Sequence, residues 1–228
     1  MFDEANDGTD AVVRSDSSVE AGEWRESSPL QADTLDTVRA VPGVGRAAPV
    51  VEADGQLVGS DGSSVGGGGP PTLAGNWVPD EDLNAYQIAD GRAPEPSTAG
   101  EPLEVVIDRA SADDGDLAVG DSTVVRVPEP VDVTVVGIAT FGEQDGMGGT
   151  TWTAFTTEVA QELLMADPGT LSSVAVSATA GVEQDELVRQ LGPTLPDGVE
   201  AITGAQLVSE MESDVESGFI GFFETVLL

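Results

Sequence analysis

Three stretches of the sequence have the residue types and spacing of known chemistry, and each lacks a partner that the chemistry needs. Gly62-Ser63-Ser64-Val65-Gly66 matches the G-x-S-x-G pattern, in which a serine at a strand-to-helix turn becomes a nucleophile once a histidine takes its proton. The chain has no His, and Ser64 lies in a Ser/Gly-rich loop, so the match does not describe a hydrolase. Gly43-Val44-Gly45-Arg46-Ala47-Ala48 fits G-x-G-x-x-A. It follows a helical pattern and leads into a strand, the reverse of the order in a dinucleotide-binding turn. Asp113-Asp114-Gly115-Asp116 begins like a calcium loop, without the bidentate Glu that position 12 of such a loop supplies.

The wider inventory removes most other machinery. All eight basic residues are Arg, and Lys, His and Cys are absent. A Ser-His-Asp triad, a cysteine nucleophile, a Walker-type phosphate loop and a thiol or imidazole zinc site are therefore excluded, and so is any disulfide. Carboxylate chemistry survives, since a glycosidase needs only two acids about 5–10 Å apart. Among 42 acids, however, closeness of some pair is expected and carries no information. No catalytic, cofactor-binding or metal-binding residue is assigned, and the chain is not expected to be an enzyme.

The formal net charge is −34 over 228 residues. Such a surface repels nucleic acid and anionic lipid, because both are bound by neutralising phosphates with Lys and Arg. Acids scattered along the whole chain, with Lys depleted, read as the hydrated surface of a salt-adapted protein. A basic partner or a calcium site is the functional alternative. The length suits one large domain or two small ones. There is no 20-residue apolar span, and Met1-Phe2 runs directly into acidic residues, so no signal peptide is expected within these residues.

A near-repeat organises the two ends. Thr9 to Val13 reads as a strand, Ser28-Pro29-Leu30 opens a helix with Leu35, Val38 and Val41 inward, Pro42-Gly43 stops it, and Val44 to Val51 is a second strand. Ser173 to Ser177 is again a strand, Val182 to Leu195 a helix with Leu187, Val188, Leu191 and Leu195 inward, Pro196-Asp197-Gly198 a stop, and Val199 to Ile202 a strand. Two such halves predict an α+β fold with a split βαβ, ferredoxin-like, porter-type lobe. Between them lie β-branched runs at Leu103–Ile107, Ser122–Val127 and Val131–Ile138, Gly-rich loops, and a helix capped by Thr156 or Thr157. The expected division is a discontinuous βαβ lobe (9–60 and 168–204), an inserted mainly β lobe (66–167) and a C-terminal stalk helix (205–228).

The stalk is predicted from Leu207, Met211, Val215, Phe219 and Phe223, which recur every four residues. Residues 205–228 as one helix would be roughly 36 Å long. Leu207, Met211 and Val215 are expected to pack on the βαβ lobe or on the N-terminal segment. Phe219, Ile220, Phe222, Phe223, Val226 and Leu227 are expected to form the start of a membrane helix, since three of the six Phe fall in the last ten residues.

Leu117–Asp121 (LAVGD), Val133–Ile138 (VTVVGI) and Gly148–Leu164 (GGTTWTAFTTEVAQELL) resemble the extracytoplasmic core domain of MacB/FtsX-type ABC transporter permeases, most closely the actinobacterial form. Gly181–Leu187 (GVEQDEL), Gly198–Gly204 (GVEAITG) and Gly221–Leu228 (GFFETVLL) continue the resemblance in register. It spans about residues 8 to 228. It implies a domain looped between two membrane helices on the extracytoplasmic side of the cell membrane, without catalytic residues or cofactors. A cytoplasmic ATPase subunit would act through those helices on an exported substrate or an extracellular partner, with a second permease copy as a further implied partner. The alternative is a secreted or membrane-anchored ligand- or protein-binding module unrelated to transport.

Overall fold

The computed structural model describes residues 2–16, 28–97 and 100–213. Within them the chain is an α+β fold built on two main sheets. The near-repeat supplies the smaller one. Its strands stand in the order Val199–Thr203, Ala11–Ser15, Ser173–Ala178, Val44–Val50, and every neighbouring pair is antiparallel. Helix Thr34–Arg39 joins Ala11–Ser15 to Val44–Val50, and helix Gln184–Leu191 joins Ser173–Ala178 to Val199–Thr203. Each strand–helix–strand unit is thus split by a strand of the other. The first and last strands are neighbours, with Ala11 opposite Thr203.

Period-two alternation explains how this sheet is covered on both faces. Ala11, Val13, Val174 and Val176 share an apolar cluster with Val38, Leu187 and Leu191 of the two helices. Ala48 and Ala175, out of phase with those, meet Val78 and Leu83 of the connection after Asn76. That connection lies close to the N-terminal segment: a Cβ on Gly8 would stand 1.8 Å from the Asp82 carbonyl oxygen.

Helix boundaries differ from the sequence reading where pairing competes. Leu30–Gln31 is not the start of a helix but a short strand paired with Thr170–Leu171, and the helix begins at Thr34. The pairing buries Leu30 and Leu171 almost completely, which outweighs the helix-opening preference of Pro29. The second helix ends at Leu191 and tightens into a 3-10 turn, Gly192–Thr194, where Pro193 has no N–H to continue the α pattern.

The larger sheet has eight strands. Its main path is Glu52–Asp54, Thr72–Asn76, Thr151–Phe155, Leu103–Asp108, Glu129–Phe141, Ser122–Val127, Gln56–Leu57, and Tyr86–Gly91 pairs with the far end of Glu129–Phe141. Only Gly55 separates the first strand of this path from the last, so the sheet curls round to bring its two edges together. Glycine suits the junction because a Cβ there would lie 2.3 Å from that of Ala74. Val105, Ile107, Val125, Val133, Val135 and Phe155 fill one face, while Val106, Ala139, Phe141, Trp152 and Ala154 fill the other.

The chain leaves the small sheet at Val50 and enters the large one at Glu52. Residues 52–57 therefore pair within the large sheet, although the sequence reading groups them with the βαβ lobe. One apolar cluster runs from Val13 and Leu187 to Ile107 and Phe155, continuous across both sheets. Among the described residues no helix is long and apolar enough to cross a membrane.

Candidate functional site

The feature with the most functional content is the place where the two ends of the described chain meet. The short helix Phe2–Ala5 and a helix over residues 204–213 lie on one apolar cluster, to which they contribute Phe2 and Val208. Its centre is aromatic. Tyr86 and Trp152 stack face to face with ring centroids 3.7 Å apart, and Phe141 meets Tyr86 and Phe2 edge-on at 5.2 and 5.7 Å. Trp77 leans on Trp152 from the half-exposed rim. Met147 and Met211 add flexible thioethers to that rim.

Local chemistry sets the path of the C-terminal helix. Strand Val199–Thr203 runs straight into it, with Thr203 Oγ1 accepting the Gln206 N–H at 3.1 Å as an N-terminal cap. Gly204 is buried against the first strand: its N–H donates to the Asp10 carbonyl at 2.9 Å, and a Cβ would sit 2.0 Å from the Thr9 carbonyl oxygen. Gln184 Oε1 accepts the Ala205 N–H at 3.1 Å. Arg14 reaches up from the first strand, its Nε donating to Glu200 at 2.9 Å and its Nη1 and Nη2 to Glu210 at 2.6 and 3.1 Å. These carboxylates hold the Arg14 guanidinium above its ordinary range, Glu210 contributing most.

Of the residues predicted for stalk packing, Met211 lies half-buried against the aromatic cluster, which is formed by the large sheet and by Phe2 of the N-terminal segment and not by the βαβ lobe, and Leu207 is half-buried outside the three apolar clusters. Val215, Phe219, Ile220, Phe222, Phe223, Val226 and Leu227 lie outside the described residues. The buried face runs through Gly204, Val208 and Met211 at i, i+4, i+7. Val208, Phe2 and the Tyr86–Trp152 stack have no place in the sequence reading. The Gly204/Val208/Met211 spacing is the one local signal that marks part of this face.

Beneath the stack lies Asp108, fully buried. It caps helix Arg109–Gly115 by accepting the Ser111 N–H at 2.9 Å, and it also accepts the Ser111 hydroxyl and the Trp152 N–H, the latter at 2.7 Å. Burial raises its carboxyl above the usual range, against the downward pull of these donors. Tyr86 is pushed well above a normal phenol, by burial first and then by the charges of Asp108 and Glu52.

The other sequence motifs do not form a site, although two of them touch: a Cβ on Gly115 of the acidic run would stand 2.9 Å from Val65 Cγ2 of the serine motif. Ser64 lies on an exposed loop and accepts from Arg126 Nη1 at 3.1 Å. Gly43 and Gly45 form the exit of the first helix into its strand, and Asp116 ends helix Arg109–Gly115 in the left-handed region at φ 48°. No group of three or more acids fit to hold a metal occurs among the described residues.

Arg39, Arg46, Arg92, Arg109 and Arg189 sit in surface ion pairs, each worth little alone. Eight Arg cannot pair more than a minority of the 42 acids. Raising NaCl over the first few hundred millimolar is therefore expected to screen self-repulsion and lift the melting temperature by several degrees. Scanning calorimetry across a salt series checks this, and a flat or falling curve would mean the acids are committed to specific contacts.

Comparison with solved structures gives the same fold twice. The periplasmic region of MacB from Actinobacillus actinomycetemcomitans superposes with TM-score 0.60 at 12% identity, over 92% of this chain and 95% of that one. The extracellular domain of the noncanonic ABC-type transporter YknZ from Gram-positive bacteria gives 0.57 at 11% identity, over 84% and 98%. No family model and no curated protein matches the sequence. At these identities the likeness establishes the fold: this chain has the α+β architecture of MacB- and YknZ-type extracytoplasmic domains.

Proposed function

We propose that the chain is the extracytoplasmic domain of an ABC transporter permease. In this reading it carries movement from membrane helices, driven by a cytoplasmic ATPase, to an exported substrate or an extracellular partner. The observation that carries the reading is the convergence of residues 2–5 and 204–213 on one apolar cluster, in a domain of this fold. A domain looped between two membrane helices needs its ends side by side, and the antiparallel neighbours Ala11–Ser15 and Val199–Thr203 bring them there. The helix at 204–213 is then the root of a stalk, with Val208 and Met211 on its packing side and Phe219, Ile220, Phe222, Phe223, Val226 and Leu227 entering the bilayer. A packed helix moves nearly as a rigid body, so axial or tilting displacement of the stalk would reach both sheets. Nothing in this role needs a nucleophile or general base, which agrees with a chain that has no His, Lys or Cys.

The test uses the missing cysteines. Val119 is the exposed large apolar side chain of the described surface, at 44%, so V119C places one thiol in a stretch that otherwise has none. The chain with its own flanking sequence, produced in its host, is expected to react with a membrane-impermeant maleimide in intact cells and to co-purify with an ATPase subunit. Labelling only after lysis would overturn the reading. Labelling without any ATPase would favour a binding module unrelated to transport.

A further inference from the structure

We infer that Arg14 is a latch that holds the helix at 204–213 against the domain, giving that helix a docked and a released state. The inference rests on contacts within the domain and stands independently of the transport reading. Backbone anchoring of the helix is concentrated at its start: Gly204 to the Asp10 carbonyl, Ala205 to Gln184 and Gln206 to Thr203. Beyond residue 206 the grip is of another kind. Val208 and Met211 rest on the aromatic cluster by apolar contact, which is non-directional and tolerates sliding. Direction comes from the guanidinium of Arg14, which spans from strand to helix by binding Glu200 with one nitrogen and Glu210 with two. Such a fork fixes orientation as well as distance, as a lysine could not.

The same guanidinium ties together carboxylates of two different elements. Glu200 and Glu210 are drawn together by one shared cation. Glu210 also accepts from Gln206 Nε2 at 3.0 Å, a bond within the helix, so withdrawing the guanidinium removes the tie to the strand and leaves the helix's own bond in place. Arg14 and Glu210 are only partly exposed, with side-chain accessibilities of 21% and 28%, so screening by solvent weakens the pair less than a surface pair. Gly204, wedged on the Thr9 carbonyl, stays fixed while the rest of the helix swings. Release lifts Val208 and Met211 away and opens the Tyr86–Trp152 stack to solvent.

Hydrogen exchange on the whole 228-residue chain tests this. In R14Q the amides of 207–213 are expected to lose protection by about tenfold, the scale of a charge-assisted hydrogen-bonded contact. Strands Leu103–Asp108 and Glu129–Phe141 should keep theirs. Acrylamide should quench tryptophan emission more readily in the variant. E210Q, which leaves the Arg14–Glu200 bond in place, should show the same local loss and decides the matter where R14Q does not fold. Unchanged exchange at 207–213, or a loss spread evenly over both sheets, would overturn the latch. Neither outcome bears on which side of a membrane the domain lies, so the two readings fail separately.

Discussion

Phe155→Ala is expected to cost about 3–5 kcal/mol and to lower the melting of both sheets together, in one transition. The ring is fully buried at the end of strand Thr151–Phe155, and the Phe155 carbonyl accepts the Trp77 N–H at 2.7 Å. It belongs to the cluster that also holds Val105 and Ile107 of the large sheet and Val13, Leu187 and Leu191 of the small one. A cavity at this point removes packing that the two halves share. Calorimetry with denaturant melts at two wavelengths reads both the loss and its cooperativity. Two separated transitions, with only one displaced, would show that the sheets are independent units in spite of the shared cluster.

Asp108→Ala is expected to be nearly as severe, about 3 kcal/mol, because it strands the buried Ser111 and Trp152 N–H groups that the carboxylate satisfies. The pH dependence gives it a distinct signature. A carboxyl raised in the fold keeps its proton where the unfolded chain has lost its own, so its contribution to stability is fully present below the unfolded value and declines as pH rises through the folded one. The variant lacks that contribution. The stability gap between wild type and D108A should therefore widen as pH falls from neutrality toward about 4. A gap that narrows on acidification would mean that the three donors, not burial, govern the group.

The small sheet was legible in the sequence because its signals are local: two β-branched runs, two amphipathic helices, and the Pro-Gly stops at Pro42-Gly43 and Pro196-Asp197-Gly198. The strand order of the large sheet was not, since the parallel pairing of Thr151–Phe155 with Thr72–Asn76 joins segments some eighty residues apart and leaves no trace in either run. The same limit hid the aromatic cluster. Phe2, Tyr86, Phe141, Trp152 and Val208 are each unremarkable in their own stretch, and only the fold makes them neighbours. On the C-terminal segment the four-residue repeat through Leu207 and Met211 predicts a helix, and residues 204–213 are helical, but the buried stripe passes through Val208 instead. Contact between Gly204 and the Thr9 carbonyl sets the rotation of the helix, and that contact spans nearly the whole chain.

The small sheet also has a mechanical grain. Its first and last strands are antiparallel neighbours held by five registered pairs, from Ala11 opposite Thr203 to Ser15 opposite Val199. Tension that spreads the two chain ends would act across these pairs and open them one after another, like a zipper, since the inter-strand bonds lie perpendicular to the strands. A push or tilt applied to both ends together loads none of them. The domain is thus stiff when its two ends are displaced together and weak when they are drawn apart.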